Sequence, residues 1–350
     1  HRDLHLSLRR QRQMCIRDRF IFVVELNSQE LFLIDSSTVW NIPLVDCKGL
    51  LEDEKVKKIS FDLKTQKKIL RKVGIDLRGL YFDVGIACYL DDPSRQSPSL
   101  EELYMAYFGE SLDCSSKDIF LYALQKLYIH LSRVLKNKGL WSLFSEIEIP
   151  LIEVLTSMEE HGLTMDVEHF RKFSSELEKD ILAVLQKIYD VSGATFNVNS
   201  PKQLRTILFD RLNLPVIKRT KTGPSTDEFV LEKLKKYHPL PSYLLEYRSL
   251  IKAKSTYVNP LIESVNPRTG RVHTTFRQTR TTTGRLSSSN PNLQNIPVPR
   301  ERLGIQIRKA FIPSFEEGYL VSFDYSQIEL RVLAHLSGDS NLTKAFAENK

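Results

Sequence analysis

Residues 269–297 constrain the fold more than any other segment, because they contain too few aliphatic side chains to build a core. The run TGRVHTTFRQTRTTTGRLSSSNPNLQNIP consists largely of Thr, Ser, Asn, Gly and Arg. A segment of this composition buries too little apolar surface to fold alone. We therefore predict extended loops and short strands held by a larger body. The whole length of 350 residues predicts two or three domains, at about 100–200 residues each.

The sequence also argues against membrane and secreted proteins. No run approaches 18 consecutive apolar residues, so no membrane-spanning helix is predicted. The N-terminus lacks the apolar core of a signal peptide, so we expect no secretion. The cysteines include no CxxC pair, which argues against a disulfide framework and a zinc ribbon and fits a reducing cytoplasm. They are Cys15, Cys47, Cys88 and Cys114.

From residue 20 to residue 140 the pattern alternates between strands and helices, as in an α/β or α+β domain with a mixed sheet. FIFVVEL and LFLID, separated by NSQE, predict a β-hairpin. KKISFD predicts a further strand, and LKTQKKILRKVG predicts a helix that closes on Gly74. The apolar stretch 80–90 is predicted to be buried, and two helices are predicted near 99–109 and 117–136.

The pattern then becomes helical. Apolar residues spaced by four, four and three predict one face of a long helix, at Leu177, Ile181, Leu185 and Ile188. Helices are predicted to stop at Gly162 and Gly193. Capping boxes are predicted at Ser200–Gln203, with proline at the first helical position, and at Ser225–Glu228. Between them the polar, basic run KRTKTGPS, residues 218–225, predicts a mobile tip.

The run YLVSFDYS predicts a buried strand that ends in Asp324, and SQIELRVLAHLSG predicts a helix after it. A carboxylate at the exposed end of a buried strand can hold a hard divalent cation, which prefers oxygen ligands. The alternative is a structural role. Ser326–Glu329 is itself a capping box, in which Glu329 caps the helix and Asp324 favours its positive end.

A basic tract precedes this strand. From Arg248 to Lys309 the chain holds twelve Lys or Arg and two acidic residues, a net charge of +10. Such a tract is typical of a protein with a polyanionic partner, although a solvated basic face gives the same count. Arg285 follows a glycine and suits contact with a phosphate or a base edge, or is a solvated residue beside a turn. Asn292 and Gln294 can read minor-groove acceptors or satisfy a turn.

Together these runs identify a family. TTTGRLSSSNPNLQNIP followed by SFDYSQIELRVLAHLSGD closely resembles the family A DNA polymerases of bacteria, as do EYRSLIKAKSTY and NPRTGRVHTTFRQTRTTTGR. The resemblance runs from about residue 20 to residue 350 and is strongest over 268–350. It implies an α/β + α architecture, in which an RNase H-like, 3′–5′ exonuclease-like domain precedes a helical thumb and the first part of a palm. The implied bounds are 20–140, 141–265 and 266–350.

The resemblance implies a DNA-directed DNA polymerase of replication and repair. It would add deoxynucleoside triphosphates to a primer 3′-hydroxyl on primer–template DNA, with Mg²⁺ or Mn²⁺ as cofactor, as a cytoplasmic monomer. Asp324 would be the catalytic metal ligand, assisted by the Tyr325 carbonyl. Tyr325, Gln327 and Glu329 would face the incoming triphosphate, with Glu329 as the steric gate against a ribose 2′-hydroxyl. The implied DNA contacts are Arg248, Lys252, Lys254, Arg285, Asn292 and Gln294.

Two departures from the family pattern set further expectations. The second palm carboxylate and the fingers helix of the family lie further downstream, so we expect a fragment that cannot polymerise alone. Residues 1–19, with six arginines, look like a foreign or disordered leader.

An exonuclease of this family needs about four acidic ligands. Here its motif positions are Asp62, Gln66, Cys114 and Asp118, so the domain is expected to be degenerate and truncated at its N-terminus.

Two alternative functions stay open at this point. One is a working 3′–5′ exonuclease, which would trim single-stranded 3′ ends in a metal-dependent way. The other is a non-catalytic DNA-binding module, whose affinity for primer–template would fall steeply with salt.

Overall fold

The structure is a computed structural model, and its described residues cover most of the chain. They are 47–95, 98–114, 117–221, 223–298 and 302–348, with the backbone alone for Lys117, Asp118 and the strand residues 20–27, 30–35 and 38–43. The predicted foreign or disordered leader, residues 1–19, lies outside them, as does the fourth cysteine, Cys15.

The first domain, from β1 to α5, is built on a five-stranded mixed sheet in the order β3-β2-β1-β4-β5. β1 pairs antiparallel with β2, and β2 with β3, so the predicted hairpin is confirmed. β4 is the predicted KKISFD strand and lies parallel to both β1 and β5. The strands are β1 (Phe20–Asn27), β2 (Glu30–Asp35), β3 (Thr38–Pro43), β4 (Lys57–Ser60) and β5 (Leu80–Asp83).

The predicted helices of this domain are also confirmed. The stretch 80–90 is buried as expected, but it forms a strand and then a helix. The domain core runs from Cys47 to Ile152, so packing continues past the predicted boundary at residue 140. The helices are α1 (Lys48–Leu51), α2 (Leu63–Lys72), α3 (Val84–Asp91), α4 (Leu100–Phe108) and α5 (Lys117–Asn137).

The middle of the chain is helical, as predicted. The predicted apolar face of α7 is buried at Leu177, Ile181 and Ile188. Gly162 and Gly193 end α6 and α7 with positive φ angles, which glycine adopts without steric cost. The elements are α6 (Ile149–His161), α7 (Val167–Ser192), α8 (Pro201–Arg205), α9 (Glu228–Leu234), α10 (Leu240–Lys252) and α11 (Asn259–Glu263), with π-helical segments at Leu143–Glu148, Thr206–Arg211 and Ala253–Val258.

One of the two predicted caps in this region is wrong. Ser200 caps α8, with Pro201 at the first helical position. The reciprocal bond of the predicted capping box is not formed, because the Gln203 side chain accepts from the Asn197 amide at 2.7 Å. The second helix, α9, is capped by Asp227 and not by Ser225, because the Asp227 carboxylate accepts from the Val230 amide at 2.9 Å. Ser225 Oγ instead accepts from the amide of Asp227 at 3.2 Å. The carboxylate is the stronger acceptor, so the helix starts two residues later than the pattern suggested.

The predicted tip between these helices is a small hairpin. β7 (Arg219–Thr220) pairs antiparallel with β8 (Gly223–Pro224). The Lys218 side chain reaches Asp227 at 2.8 Å, which ties the base of the hairpin to the start of α9.

Short strands and loops follow, which confirms the prediction for residues 269–297. A three-stranded sheet has the order β6-β10-β9, and a two-stranded hairpin joins β11 to β12. Three helices follow the hairpin. The elements are β6 (Leu163–Thr164), β9 (Val265–Asn266), β10 (Arg271–Val272), β11 (Thr275–Arg277), β12 (Ser287–Ser289), α12 (Arg302–Lys309), α13 (Ile328–Ser337) and α14 (Ser340–Ala347), with a 3₁₀ turn at Leu293–Asn295.

The predicted buried strand before Asp324 is wrong. Residues 318–325 form no strand, and Phe323 within them is 93% exposed. A strand needs a neighbour that accepts its backbone hydrogen bonds, and no described residue pairs with this segment. Helix α13 is present as predicted, but Gln327 stands at its N-cap with no side-chain cap bond. The predicted capping box at Ser326–Glu329 is therefore wrong as well.

No helix in the described part of the chain is long and apolar enough to span a membrane.

Candidate nucleic-acid interface

Arg285 lies on the loop that joins β11 to β12, residues 278–286, which we call the arginine loop. Arg277 pairs with Ser287 at the end of the hairpin, so the arginine loop begins directly after this pair. Gly284 has a φ of 78°, a left-handed conformation that few side chains adopt without strain. The turn presents Arg285 with 72% of its side chain exposed. An exposed guanidinium on a fixed turn is suited to contact a phosphate or a base edge.

The two candidate amides lie beside the arginine loop. Gln294 Nε2 donates to the Leu286 carbonyl at 3.0 Å, and its Oε1 accepts from the Ser288 amide at 3.2 Å. Asn292 caps the 3₁₀ turn by accepting from the Gln294 amide at 3.0 Å. Both side chains are exposed, yet both already satisfy backbone groups. Both amides thus satisfy turns, as one of the two predicted roles requires, and Gln294 is bonded to the end of the arginine loop.

Arg285 also forms an ion pair that the sequence did not suggest. Its Nη2 donates to Glu329 Oε1, a residue in the first turn of α13. Both side chains are exposed, so water and salt compete with the pair. The pair joins the proposed primer-contacting arginine to the proposed steric gate.

The three candidate cations of the predicted thumb differ in whether they already bind other groups of the protein. Arg248 is half-buried, and its Nη1 donates to the Thr226 carbonyl at 2.6 Å. Burial lowers the pKa of Arg248, which the Asp227 charge partly offsets. Lys254, in the π-helical segment after α10, lies 3.2 Å from Glu178. Lys252, the last residue of α10, is exposed.

Other cations of the basic tract also bind groups of the protein, one of them carboxylates and two of them neutral carbonyls. Arg302 pairs with Glu176 and Asp180 of α7, at 3.3 and 3.2 Å. Arg271 donates to the His161 carbonyl at 2.8 Å, and Arg308 to the Pro297 carbonyl at 2.8 Å. The net charge of +10 counted along the sequence therefore overstates the positive charge that is free to attract a polyanion.

The candidate catalytic residues lie on the surface of the protein. Asp324, Tyr325, Gln327 and Glu329 are exposed, and Gln327 has a positive φ of 53°. Among the described residues, no three His, Cys, Asp or Glu side chains are grouped so that they could hold a metal ion. Asp324 thus has the chemistry of a metal ligand without the other ligands of a site.

The exonuclease motif positions have structural roles here. The two carboxylate oxygens of Asp62 accept from the Thr65 amide at 3.0 Å and from its hydroxyl at 2.6 Å, which caps α2. The Gln66 amide donates to Ser60 Oγ. Cys114 is buried, and burial with nearby acidic groups raises its thiol pKa to about 11. The Asp118 side chain lies outside the described residues.

Asp83, close to Asp62, has a structural role. Its carboxylate caps α3 and accepts from the amides of Leu63 at 2.8 Å and Ile86 at 3.1 Å. Burial raises the pKa of Asp83 to about 8, and the charge of Asp62 adds to that effect.

The arginine loop and β11 are also held by residues outside the hairpin that no sequence pattern predicted. Gly284 N donates to the Tyr89 hydroxyl at 3.0 Å, and Gln278 Nε2 donates to Glu148 Oε2 at 2.7 Å. Phe276 N donates to Glu159 Oε1 at 2.8 Å. Only Glu159 carried any signal, as an acidic residue among the apolar positions of its helix.

Two family models match the chain. The model described as DNA polymerase family A matches residues 167–350, and that described as DNA polymerase I, ribonuclease H-like domain, matches residues 17–114. The chain is 42% identical to the DNA polymerase I of Geobacillus stearothermophilus, over 87% of the chain and 37% of that protein. It is 47% identical to the thermostable DNA polymerase I of Thermus aquaticus, over 77% of the chain and 32% of that protein.

A solved structure is similar in fold. The POL domain of Pol1 from M. smegmatis, in complex with DNA primer-template and dNTP, matches with a TM-score of 0.84 and 34% identity. That match covers 94% of this chain and 61% of the solved chain. The chain spans about a third of the length of the two curated relatives.

Proposed function

Since the chain belongs to DNA polymerase family A, we propose that it binds primer–template DNA and forms part of a template-directed DNA polymerase. The observation that carries this proposal is the exposed guanidinium of Arg285, with the exposed amides of Asn292 and Gln294 in the segment that packs beside its loop. Gln294 bonds to the backbone of Leu286 and Ser288, and Asn292 caps the turn that holds Gln294, so both amides lie beside the residues that follow Arg285. In this role Arg285 contacts the primer terminus, and the amides contact the nascent duplex in its minor groove, which presents acceptors.

The thumb contributes less charge than its sequence indicates. Lys252 is the exposed member of the three candidate cations, and we assign it the phosphate contact. Arg248 and Lys254 bind groups of the protein itself and can join only by giving up those bonds.

Polymerases of this family use divalent metal ions. We propose that Asp324, with the Tyr325 carbonyl, contributes to such a site for Mg²⁺ or Mn²⁺, and that Gln327 and Glu329 face the incoming triphosphate. The described residues do not complete this site, because Asp324 belongs to no group of three potential ligands. We expect the 350-residue chain alone to bind DNA without extending a primer. With DNA as the partner, we place its function in the bacterial cytoplasm, as a monomer.

The alternative of a working exonuclease has less support. The carboxylate of Asp62 is used in a helix cap, Gln66 supplies an amide where the motif has a carboxylate, and Cys114 is a buried thiol. A binding module without any catalytic role makes the same prediction for the isolated chain as our proposal does. The two differ only in whether Asp324 serves a metal site in the polymerase.

Fluorescence anisotropy with a labelled primer–template hairpin tests the proposal. We expect the wild-type chain to bind, and Arg285→Ala to weaken binding by about tenfold, as for a lost charged contact. Arg133→Ala removes another exposed arginine, on α5, and is the matched control. Equal affinity of the two variants would contradict the proposed interface, and absence of binding by the wild type would contradict the function.

A further inference from the structure

The arginine loop and its hairpin are fixed by residues far from them in sequence. Tyr89 and Lys64 come from the first domain, and Glu148 and Glu159 from the helical segment that follows it. The hairpin has only two strands, and an isolated hairpin is marginally stable at best. The outside contacts therefore supply order that the hairpin does not supply itself.

The first-domain contact that lies nearest to Arg285 along the loop is the hydrogen bond of Tyr89. Tyr89 lies on α3, is 3% exposed and has little room to move. Its hydroxyl accepts from the Gly284 amide at 3.0 Å, one peptide bond away from Arg285. Because α3 is capped by the buried Asp83 and packs into the first-domain core, it is a rigid support for this bond.

A second set of bonds fixes the base of the hairpin. The Phe276 amide donates to Glu159, and its carbonyl accepts from Lys64 of α2. Glu159 also binds Lys64 at 2.6 Å, so one buried carboxylate joins α2, α6 and β11. At the Gly284 end of the loop, Thr281 and Gln294 donate to the carbonyls of Arg285 and Leu286 from within the same stretch of chain. The bond from Gly284 to Tyr89 ties that turn to the first domain.

We propose that the exonuclease-like domain serves as the support of the primer-contacting loop, with Tyr89 as the positioning residue for Arg285. The inference rests on the proposed function, since it assumes that Arg285 binds DNA. It gives the domain a use that does not need nuclease carboxylates, which fits Asp62 acting as a helix cap and Gln66 standing in a ligand position. Tyr89 acts through the backbone of Gly284 and does not itself contact the nucleic acid.

A double-mutant cycle on the full 350-residue chain tests this inference. The readout is the dissociation constant for a labelled primer–template hairpin at about 50 mM salt, where phosphate contacts are strong. Tyr89→Phe removes one oxygen and keeps the ring, so the fold is retained. We expect it to weaken binding by about threefold to tenfold, as for one lost hydrogen bond. We expect no further loss when Tyr89→Phe is added to Arg285→Ala, because the residue that Tyr89 positions is then absent.

Tyr107→Phe is the matched control. It removes another hydroxyl from the same domain, one that donates to Asp91 at 2.6 Å and does not contact the loop. We expect it to leave the affinity unchanged. Multiplicative effects of Tyr89→Phe and Arg285→Ala, or equal losses in the two tyrosine variants, would overturn the inference while leaving the proposed function intact. A wild-type chain that does not bind, or an Arg285→Ala chain that binds normally, would overturn the proposed function first.

Discussion

Lys64 Nζ lies 2.6 Å from Glu159 Oε1, although 95 positions separate the two residues in the sequence. The Glu159 side chain is 1% exposed and also binds Lys68 and the amide of Phe276. A buried carboxylate loses its hydration and is stable only when charged partners and donors replace the water. This carboxylate has both kinds of partner, and they come from α2 and β11. It therefore couples the packing of α2 to the position of the hairpin.

Replacing Glu159 by Gln should destabilise the fold. The substitution leaves two lysines beside a neutral amide, and breaking a buried ion pair from one side costs about 3–5 kcal/mol. Because Lys64 and Lys68 keep some contact with water, we expect a loss of about 2–3 kcal/mol. The measurement is chemical denaturation followed by circular dichroism. Glu168→Gln, which breaks the exposed pair with Lys172, is the control and should cost less than about 1 kcal/mol. Equal losses of stability in the two variants would show that the buried pair contributes no more than the exposed pair.

The same carboxylate should make the fold sensitive to acid. Burial alone would raise the pKa of Glu159, but hydrogen bonds from Lys64 and Lys68 outweigh that effect and hold the pKa below its usual value of 4.5. A lowered folded-state pKa contributes stability that is present above the unfolded value and lost as the pH falls through the folded one. We expect the stability difference between wild type and Glu159→Gln to be constant from pH 7 to about pH 5 and to shrink below it. A stability difference that grows as the pH falls would contradict the lowered pKa of Glu159.

The pair between Arg285 and Glu329 predicts a gain of binding. Because the Glu329 carboxylate neutralises Arg285 in the free chain, Glu329→Gln should increase the affinity for primer–template by about twofold to fivefold at low salt. The gain should disappear at high salt, because both side chains are exposed and screened. Glu316→Gln removes the same charge from another exposed position and is the control. An equal gain in the control would assign the effect to net charge and not to the pair.

The parts of the fold that sequence predicted well are those with local signals. The hairpin of β1 and β2, the helix face at Leu177 and Ile181, and the glycine stops at Gly162 and Gly193 all follow from spacing within one segment. The wrong predictions needed information from elsewhere in the chain. Residues 318–325 have the composition of a strand, but a strand requires a partner that the segment does not contain.

In the candidate site, too, local motifs could be recognised from the sequence, whereas contacts between distant segments could not. The motif around Arg285 could be recognised from sequence, and the exposure of Arg285 agrees with it. The availability of the neighbouring charges could not be predicted, because Glu176, Glu178 and Asp180 belong to α7, far upstream of the lysine and arginine that they neutralise. Tyr89 gave no signal at all, since a lone tyrosine on an apolar helix is ordinarily a core residue.

Removing the Asp324 carboxylate should have little effect on the isolated chain. Among the described residues Asp324 lies in no group of three potential metal ligands, so we expect it to hold a metal ion only weakly. We expect Asp324→Asn to bind Mn²⁺ as the wild type does, measured by electron paramagnetic resonance, and to bind primer–template with unchanged affinity. Tight Mn²⁺ binding that Asp324→Asn abolishes would contradict this and would show that the chain completes a site. Primer extension by the wild-type chain would lead to the same conclusion.

Lys252 and Arg248 are both predicted from the sequence to contact DNA, but the structure gives them different surroundings. Lys252 is exposed, so Lys252→Ala should weaken binding and reduce the salt dependence by about one phosphate contact. Arg248 donates to the Thr226 carbonyl and is half-buried, so Arg248→Ala should lower the stability by about 1 kcal/mol and leave the salt dependence unchanged. The measurement is the slope of the logarithm of the dissociation constant against the logarithm of salt concentration, with thermal unfolding recorded for both variants. If Arg248→Ala reduces the slope as Lys252→Ala does, then Arg248 leaves Thr226 when DNA binds, and the bond between them belongs to the free chain alone.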